Sequence, residues 1–360
     1  MSQLRSLPLI KVGLVRLSID APRRAVSLSA EATNVYPAYA SSVGREKALR
    51  DRPIGGMNAA LGFSPARSRG RRYVITLACR AHDAGPPRIY VLATEGGTNI
   101  RVKDPRSILV TGASSGIGAA LARAYAAPRI HLALCGRDSV RLAAVADLCR
   151  ERGAEVIEAC LDVTEAAAVA AWIDKVDRAS PLELVIANAG VQGGLWRDGI
   201  GETLGELHRV MEVNFGGVSN TIHPVLPSMR RRGRGQVALI ASLAALRGIP
   251  FSPGYCASKA AIRIYGEAIR GWLAPEGIVV SVVLPGFVAT RLSQTVSGPK
   301  PLMLSPERAA NIIRRGLARG RRQIAFPYPL YLGTQLARVL PPGLVDRILR
   351  RLAVDIGPYA

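Results

Sequence analysis

The run Ile278-Val279-Val280-Ser281-Val282-Val283-Leu284 is apolar throughout except for one serine, with no polar alternation. A strand with one wet face alternates with a period of two, so a run like this has both faces covered, as in a parallel sheet lying between layers of helices. The rest of the chain from Arg106 agrees. Short β-rich runs at 108–110, 130–135, 156–159, 184–187 and 236–240 are separated by helical stretches from about 116, at 139–152, at 165–177, from about 203 to 231 and from about 255 to 273. Strands of four to seven residues joined by helices of a dozen or more are βαβ crossovers, and crossovers build a parallel sheet. The expected fold class is therefore α/β, a doubly wound parallel sheet of the Rossmann type, with its catalytic domain at 105–320.

Composition removes several alternatives. Hydrophobic residues make up 49% and charged residues 21% of the 360, enough for a buried core and too many for a disordered chain. No stretch reaches the roughly 18 consecutive apolar residues of a membrane span. Cys79, Cys135, Cys149, Cys160 and Cys256 form no C-x-x-C pair. They are expected to be free thiols in a reducing, cytoplasmic setting, with no metal site. The net charge of +22 would ordinarily raise nucleic acid as a partner. Six lysines against 42 arginines, however, is as much a coding bias as a binding face. Residues 1–107 carry 18 basic and 7 acidic side chains, so half of the excess lies in less than a third of the chain.

The first strand of the expected sheet runs into Thr111-Gly112-Ala113-Ser114-Ser115-Gly116-Ile117-Gly118 and then a helix. Glycines let a backbone turn tightly and approach phosphates, and the free N–H groups of a helix N-terminus attract an anion, so this is a candidate pyrophosphate site. Later elements carry Asn188-Ala189-Gly190 after the fourth strand, Asn214 within the long helix, Ser242 at the end of the fifth strand, and Tyr255-Cys256-Ala257-Ser258-Lys259. Pro285-Gly286 with Thr290 follows the sixth strand.

Taken in this order and on these elements, the motifs resemble the short-chain dehydrogenase/reductase family over about residues 106–310. Tyr255 stands thirteen residues beyond Ser242, the family's usual interval. Ala187 is a small departure, where many members have a second Asn. The resemblance implies an NAD(P)-dependent oxidoreductase acting on an alcohol or a carbonyl, with Asn214, Ser242, Tyr255 and Lys259 catalytic. It further implies cofactor contacts from Gly112, Ser114, Ser115, Gly116, Ile117, Gly118, Asn188, Ala189, Gly190, Tyr255, Lys259, Pro285, Gly286 and Thr290, and from the adenine-side pair Asp162 and Val163. Asn214 would hold a water linking Lys259 to solvent, and Lys259 would also hold the nicotinamide ribose.

Elementary chemistry supports the same residues. Tyr255 and Lys259 are four apart on a helix, so they share a face. A phenol titrating near ~10 is a poor base, but a neighbouring ammonium favours the phenolate. Tyr255 can then act as general acid in carbonyl reduction or as general base in alcohol oxidation, with Ser242 donating to the substrate oxygen. Ser114, Ser115 and Ser258 are expected to serve loops and packing, not catalysis. At the end of the second strand a guanidinium welcomes a ribose 2′-phosphate and an acid selects the free hydroxyl. Arg137 occupies that position, which favours NADP over NAD, with Asp138 beside it arguing the other way.

Three readings compete: a carbonyl reductase or alcohol dehydrogenase on a small hydrophobic substrate, a non-catalytic module with the same fold, and a nucleic-acid binder using the basic N-terminus. An intact Ser242, Tyr255 and Lys259 set argues against the second. Aromatics at 5% and the lack of a reading motif argue against the third. The run Arg230-Arg231-Arg232-Gly233-Arg234 is expected to be a solvated helix end. Residues 1–104 mix an arginine cluster at 67–72 with short strand-like runs at 73–77 and 89–92, show no sustained period, and are expected to be a disordered basic extension, with a targeting segment or a small accessory fold as alternatives. Residues 321–360 form an apolar, Pro-punctuated tail. In it Leu344, Val345, Ile348, Leu349 and Leu352 recur at helical spacing among arginines. That stripe would either pack on the enzyme's own domain or a second subunit of a homo-oligomer, or lie on a membrane surface. The segment 291–305, rich in Leu, Val, Pro and Met, would line an apolar substrate pocket.

Overall fold

The computed structural model describes residues 11–20, 25–34, 73–82, 85–95, 104–193, 202–296 and 298–351. Two units are distinct, Met1–Thr98 and Asn99–Ala360. In the first, β1 (Lys11–Asp20) pairs antiparallel with β2 (Ala25–Asn34), and β3 (Tyr73–His82) with β4 (Gly85–Glu95). The strand-like runs legible at 73–77 and 89–92 lie within β3 and β4. The arginine cluster at 67–72 lies outside the described residues.

The second unit holds the expected doubly wound sheet. Its strands are β5 (Ser107–Thr111), β6 (His131–Gly136), β7 (Glu155–Cys160), β8 (Leu184–Ala187), β9 (Gly235–Ile240), β10 (Ile278–Pro285) and β11 (Gln323–Phe326). They are ordered β11-β10-β9-β8-β5-β6-β7, and every neighbouring pair is parallel. Strand β5 thus has β6 on one side and β8 on the other. The winding reverses between β5 and β8, which opens a crevice beyond the carboxyl ends of these strands.

Both faces of the sheet are buried, as the unbroken apolar strands require. In β5, Ile108 and Val110 pack into one core with α1 (Gly116–Tyr125) and α2 (Ser139–Arg150), whereas Leu109 joins the core of the opposite face. The opposite core includes Val169 and Ile173 of α3 (Ala166–Ala179) and the β10 residues Ile278, Val280, Val282 and Leu284.

Two expectations are corrected. The single helix from 203 to 231 is α4 (Leu204–Met211), a π-helical turn (Glu212–Gly216), α5 (Gly217–Ile222) and α6 (Leu226–Arg232). Pro224 and Pro227 account for the break before α6, because neither can donate to a preceding helical turn. The second correction concerns the C-terminus. The sheet has a seventh strand beyond 320: β11 lies beside β10 in the register Val282↔Gln323 to Pro285↔Phe326. The boundary expected at 320 therefore runs through the fold. After α7 (Pro253–Leu273), α8 (Arg291–Gln294) and α9 (Pro306–Ala318), the chain adds β11, α10 (Tyr328–Val339) and α11 (Pro342–Arg351). No helix among the described residues is long and apolar enough to cross a membrane.

The arginine run at the end of α6 is structural. Arg232 forms two bonds to Asp177, at 2.9 and 3.0 Å, and one to the Leu182 carbonyl. Arg230 pairs with Glu276 and lies 5.3 Å from the Trp272 ring centre, and Arg234 pairs with Glu183 at 3.6 Å.

Candidate active site

The glycine turn after β5 is a cradle that side chains would fill. Gly112 has φ +65° and Gly116 φ +55°, a left-handed region that favours glycine. A Cβ on Gly112 would come within 2.8 Å of the Ala189 backbone, and one on Gly118 within 2.2 Å of the Gly112 carbonyl. Asn188 secures the turn from the neighbouring strand, donating from Nδ2 to the carbonyls of Thr111 (3.0 Å) and Gly112 (3.2 Å). The amides of Asn188 and Ala189 donate in turn to Thr111 Oγ1. Helix α1 begins after Ser115, whose side chain makes no capping bond, so the first-turn amides remain available for an anion.

At the end of β6, Arg137 and Asp138 have separate tasks. Asp138 caps α2, accepting from the Arg141 amide at 2.9 Å, and its carboxylate also meets the Arg141 guanidinium at 2.7 Å. The acid that argued for NAD is thus committed to a helix end. Arg137 is more than half exposed and lies 3.5 Å from Asp162. Burial alone would raise the Asp162 carboxyl, but bonds from Thr164 and the Arg137 charge outweigh it and hold it below the ordinary carboxylate value.

The catalytic candidates converge from three elements. Ser242 follows β9, and its hydroxyl accepts from the Ala244 amide at 3.1 Å. Tyr255 and Lys259 share one face of α7, with the Lys259 Nζ 5.6 Å from the Tyr255 ring centre and donating to the Ile240 carbonyl at 3.1 Å. Burial pushes the Tyr255 phenol up to about 12, against a hydrogen bond with Ser242 that favours the phenolate. Burial pulls the Lys259 ammonium down to about 8. In the protein by itself, therefore, the expected lowering of the phenol by Lys259 does not prevail. Desolvation dominates, and Tyr255 is a neutral phenol at pH 7.

Asn214 lies behind this set, fully buried in the π-helical turn. Its Oδ1 accepts from the Val191 amide at 2.7 Å, and its Nδ2 donates to the Val191 carbonyl (3.1 Å) and to Ser258 Oγ (2.9 Å). Ser258 passes the link along α7 by donating to the Tyr255 carbonyl at 2.8 Å. The Asn214 side chain is thus spent on holding the backbone beside Gly190, where any Cβ would lie 3.0 Å from Asn214 Oδ1 and 3.2 Å from Lys259 Nζ. Sequence reasoning missed Thr111, Ser258 as a link, Arg141 and Glu202. Glu202 accepts from the Gly254 amide at 2.8 Å in the first turn of α7, and burial raises its carboxyl. Nothing near Glu202 in the sequence marks it, because its partner is about fifty residues away.

These parts face one cavity of about 1110 Å³, large by the standard of ligand sites. All the candidate residues line it except Gly118, which packs beneath the turn, and Asn214. The apolar segment beyond β10 contributes Leu292, Val296 and Pro301. The C-terminal stripe turns inward: Val345, Ile348 and Leu349 of α11 are lining residues, with Val345 only 3% exposed. Val345 of this stripe thus packs on the enzyme's own domain, whereas Leu344 and Ile348 remain nearly half exposed. Leu352 lies outside the described residues.

A parallel sheet with a glycine cradle at its switch point, and a serine, tyrosine and lysine facing the same cavity, defines a nucleotide-binding α/β protein of the dehydrogenase type. Residues 106–300 match the profile of the short chain dehydrogenases, and the chain belongs to this family of oxidoreductases. Its relatives include an uncharacterized oxidoreductase of Myxococcus xanthus, 36% identical over 254 residues, covering 69% of this chain and 97% of the relative. A ketoacyl reductase, HetN, of a Nostoc species is 29% identical over 69% of this chain and 90% of its own length. Among solved structures, an alcohol dehydrogenase from Thermococcus sibiricus complexed with 5-hydroxy-NADP is 30% identical, with a TM-score of 0.54 over 61% of this chain and 95% of that one.

Proposed function

We propose that this protein is an NADP(H)-dependent carbonyl reductase acting on hydrophobic ketones or aldehydes. The observation that carries the reading is the convergence of Ser242, Tyr255 and Lys259 on the cavity that begins at the glycine cradle. The cradle fits a dinucleotide: its turn has no room for side chains, and the amides of α1 are open to a pyrophosphate. Arg137 and Arg141 line the same end, and with Asp138 engaged as a cap the local charge suits a 2′-phosphate. The Nostoc ketoacyl reductase among its relatives and the structural neighbour complexed with an NADP derivative point the same way.

Bound at the cradle, a reduced nicotinamide would supply hydride to the carbonyl carbon. Ser242 donates a hydrogen bond to the carbonyl oxygen, stabilising the charge that develops there. Tyr255, held protonated by burial, delivers its proton to that oxygen. Lys259 steadies the phenolate left behind and would hold the ribose hydroxyls, as the family resemblance implies. Asn214 and Ser258 position α7. A water relay from Lys259 would have to use groups other than the Asn214 side chain.

The test is a panel of ketones and aldehydes offered with NADPH and with NADH, following nicotinamide absorbance. Turnover with NADPH is expected for apolar carbonyls and is expected to vanish in Tyr255→Phe. No turnover of any carbonyl with either cofactor would overturn the assignment.

A further inference from the structure

Resting on that reading, we infer that the substrate carries a long neutral alkyl chain, and that its tail lies between α10 and α11 and leaves the cavity along their apolar faces. The wall of the cavity distal to the cradle is built by these two helices: Leu330 and Leu336 from α10, Leu340 just past its end, and Val345, Ile348 and Leu349 from α11. From Leu330 to Leu340, just past the end of α10, the lining residues advance ten positions, about 15 Å at 1.5 Å per residue, the length of roughly ten to twelve methylenes.

The wall does not end where the cavity does. Leu336 and Ile348 line the cavity and are nevertheless 58% and 48% exposed, so each side chain belongs to the interior and to the surface. Leu332 and Val339 on α10 and Leu344 on α11 continue an apolar surface outside, exposed at 48%, 78% and 45%. Leu332, Leu336 and Val339 recur at spacings of four and three, which places them on one helical face. Water against such a path is displaced favourably by a chain that follows it.

The local charge gives an anionic tail of the same length no cation to bind. The charged lining residue between Ser242 and these helices, Arg247, is paired with Asp346 of α11 at 2.7 Å. That ion pair fastens α11 across the cavity and occupies the charge that would otherwise hold a carboxylate or phosphate. Among the described residues this half of the cavity is mostly apolar, with Thr334 donating its hydroxyl to the Tyr331 carbonyl, and offers a tail no free cation.

Straight-chain methyl ketones from pentan-2-one to tridecan-2-one test the idea with NADPH. Each buried methylene contributes up to about fourfold, so kcat/KM is expected to rise about two- to fourfold per carbon, chiefly through KM, and to level off near twelve carbons. The double variant Leu336→Asp/Ile348→Asp is expected to flatten that rise. Leu148→Asp, a comparably exposed apolar site outside the cavity lining, is expected to keep it. A readout without turnover uses a dansyl group on a neutral undecyl alcohol. Its fluorescence should rise and shift to the blue on binding, and dodecan-2-one should displace it far better than pentan-2-one. Pentan-2-one reduced as efficiently as tridecan-2-one, or a probe displaced equally by both ketones, would overturn the inference and leave the reductase standing. Probe binding with the expected displacement, but no ketone reduced, would support the channel and overturn the reductase instead.

Discussion

Lys259 is almost fully buried, donates one hydrogen bond to the Ile240 carbonyl, and forms no ion pair with an acidic side chain among the described residues. Its ammonium is therefore a cost to the fold that the active site imposes. Burial lowers it from 10.5 to about 8. Below the folded value the side chain is charged whether the chain is folded or not, and folding bears the whole desolvation penalty. That penalty is on the order of 3 kcal/mol at 1.36 kcal/mol per unit. Between the folded and unfolded values the unfolded chain binds more protons, so stability rises with pH across that window. Integrating from about pH 7 to 9.5 gives a gain of about 2 kcal/mol from this one group. Other groups titrate too, so the comparison is wild type against Lys259→Met, by urea unfolding at both pH values. The methionine protein is expected to be the more stable at pH 7, and its advantage should shrink by about 2 kcal/mol at pH 9.5. An advantage that is the same at both pH values would show that Lys259 is not desolvated as described.

Tyr255→Phe removes the transferable proton and little packing, so kcat should fall by roughly 10²–10⁴, while NADPH affinity measured by fluorescence titration should hardly change. Arg137→Ala should weaken NADPH by about tenfold or more and NADH far less. The partial exposure of Arg137 and its pairing with Asp162 place the effect at the low end, and equal losses would show that Arg137 does not read the 2′-phosphate. Deleting residues 1–104 should leave a folded, active enzyme by circular dichroism and turnover, because β5 starts at Ser107 and the first unit closes its hairpins within itself. Insoluble or inactive protein would show that this segment supports the catalytic domain.

Much of the enzyme is legible in the sequence because its signals are local. Ile278–Pro285 shows by composition alone that both sheet faces are covered, and Tyr255 and Lys259 share a face because a helix returns every 3.6 residues. The glycine turn needs nothing beyond its own spacing and the strand and helix around it. Other features depend on contacts between distant segments. Gln323–Phe326 is a four-residue edge strand followed by a proline, too short to show a period, and only β10 beside it makes it a strand. That Asp138 caps α2 depends on where that helix starts in three dimensions. Ser258 and Asn214 are 44 residues apart and touch because a π-helical turn brings the amide to α7. The protonation states of Tyr255 and Lys259 depend on how much protein surrounds them, and desolvation is a property of three-dimensional density, which no spacing along the chain encodes.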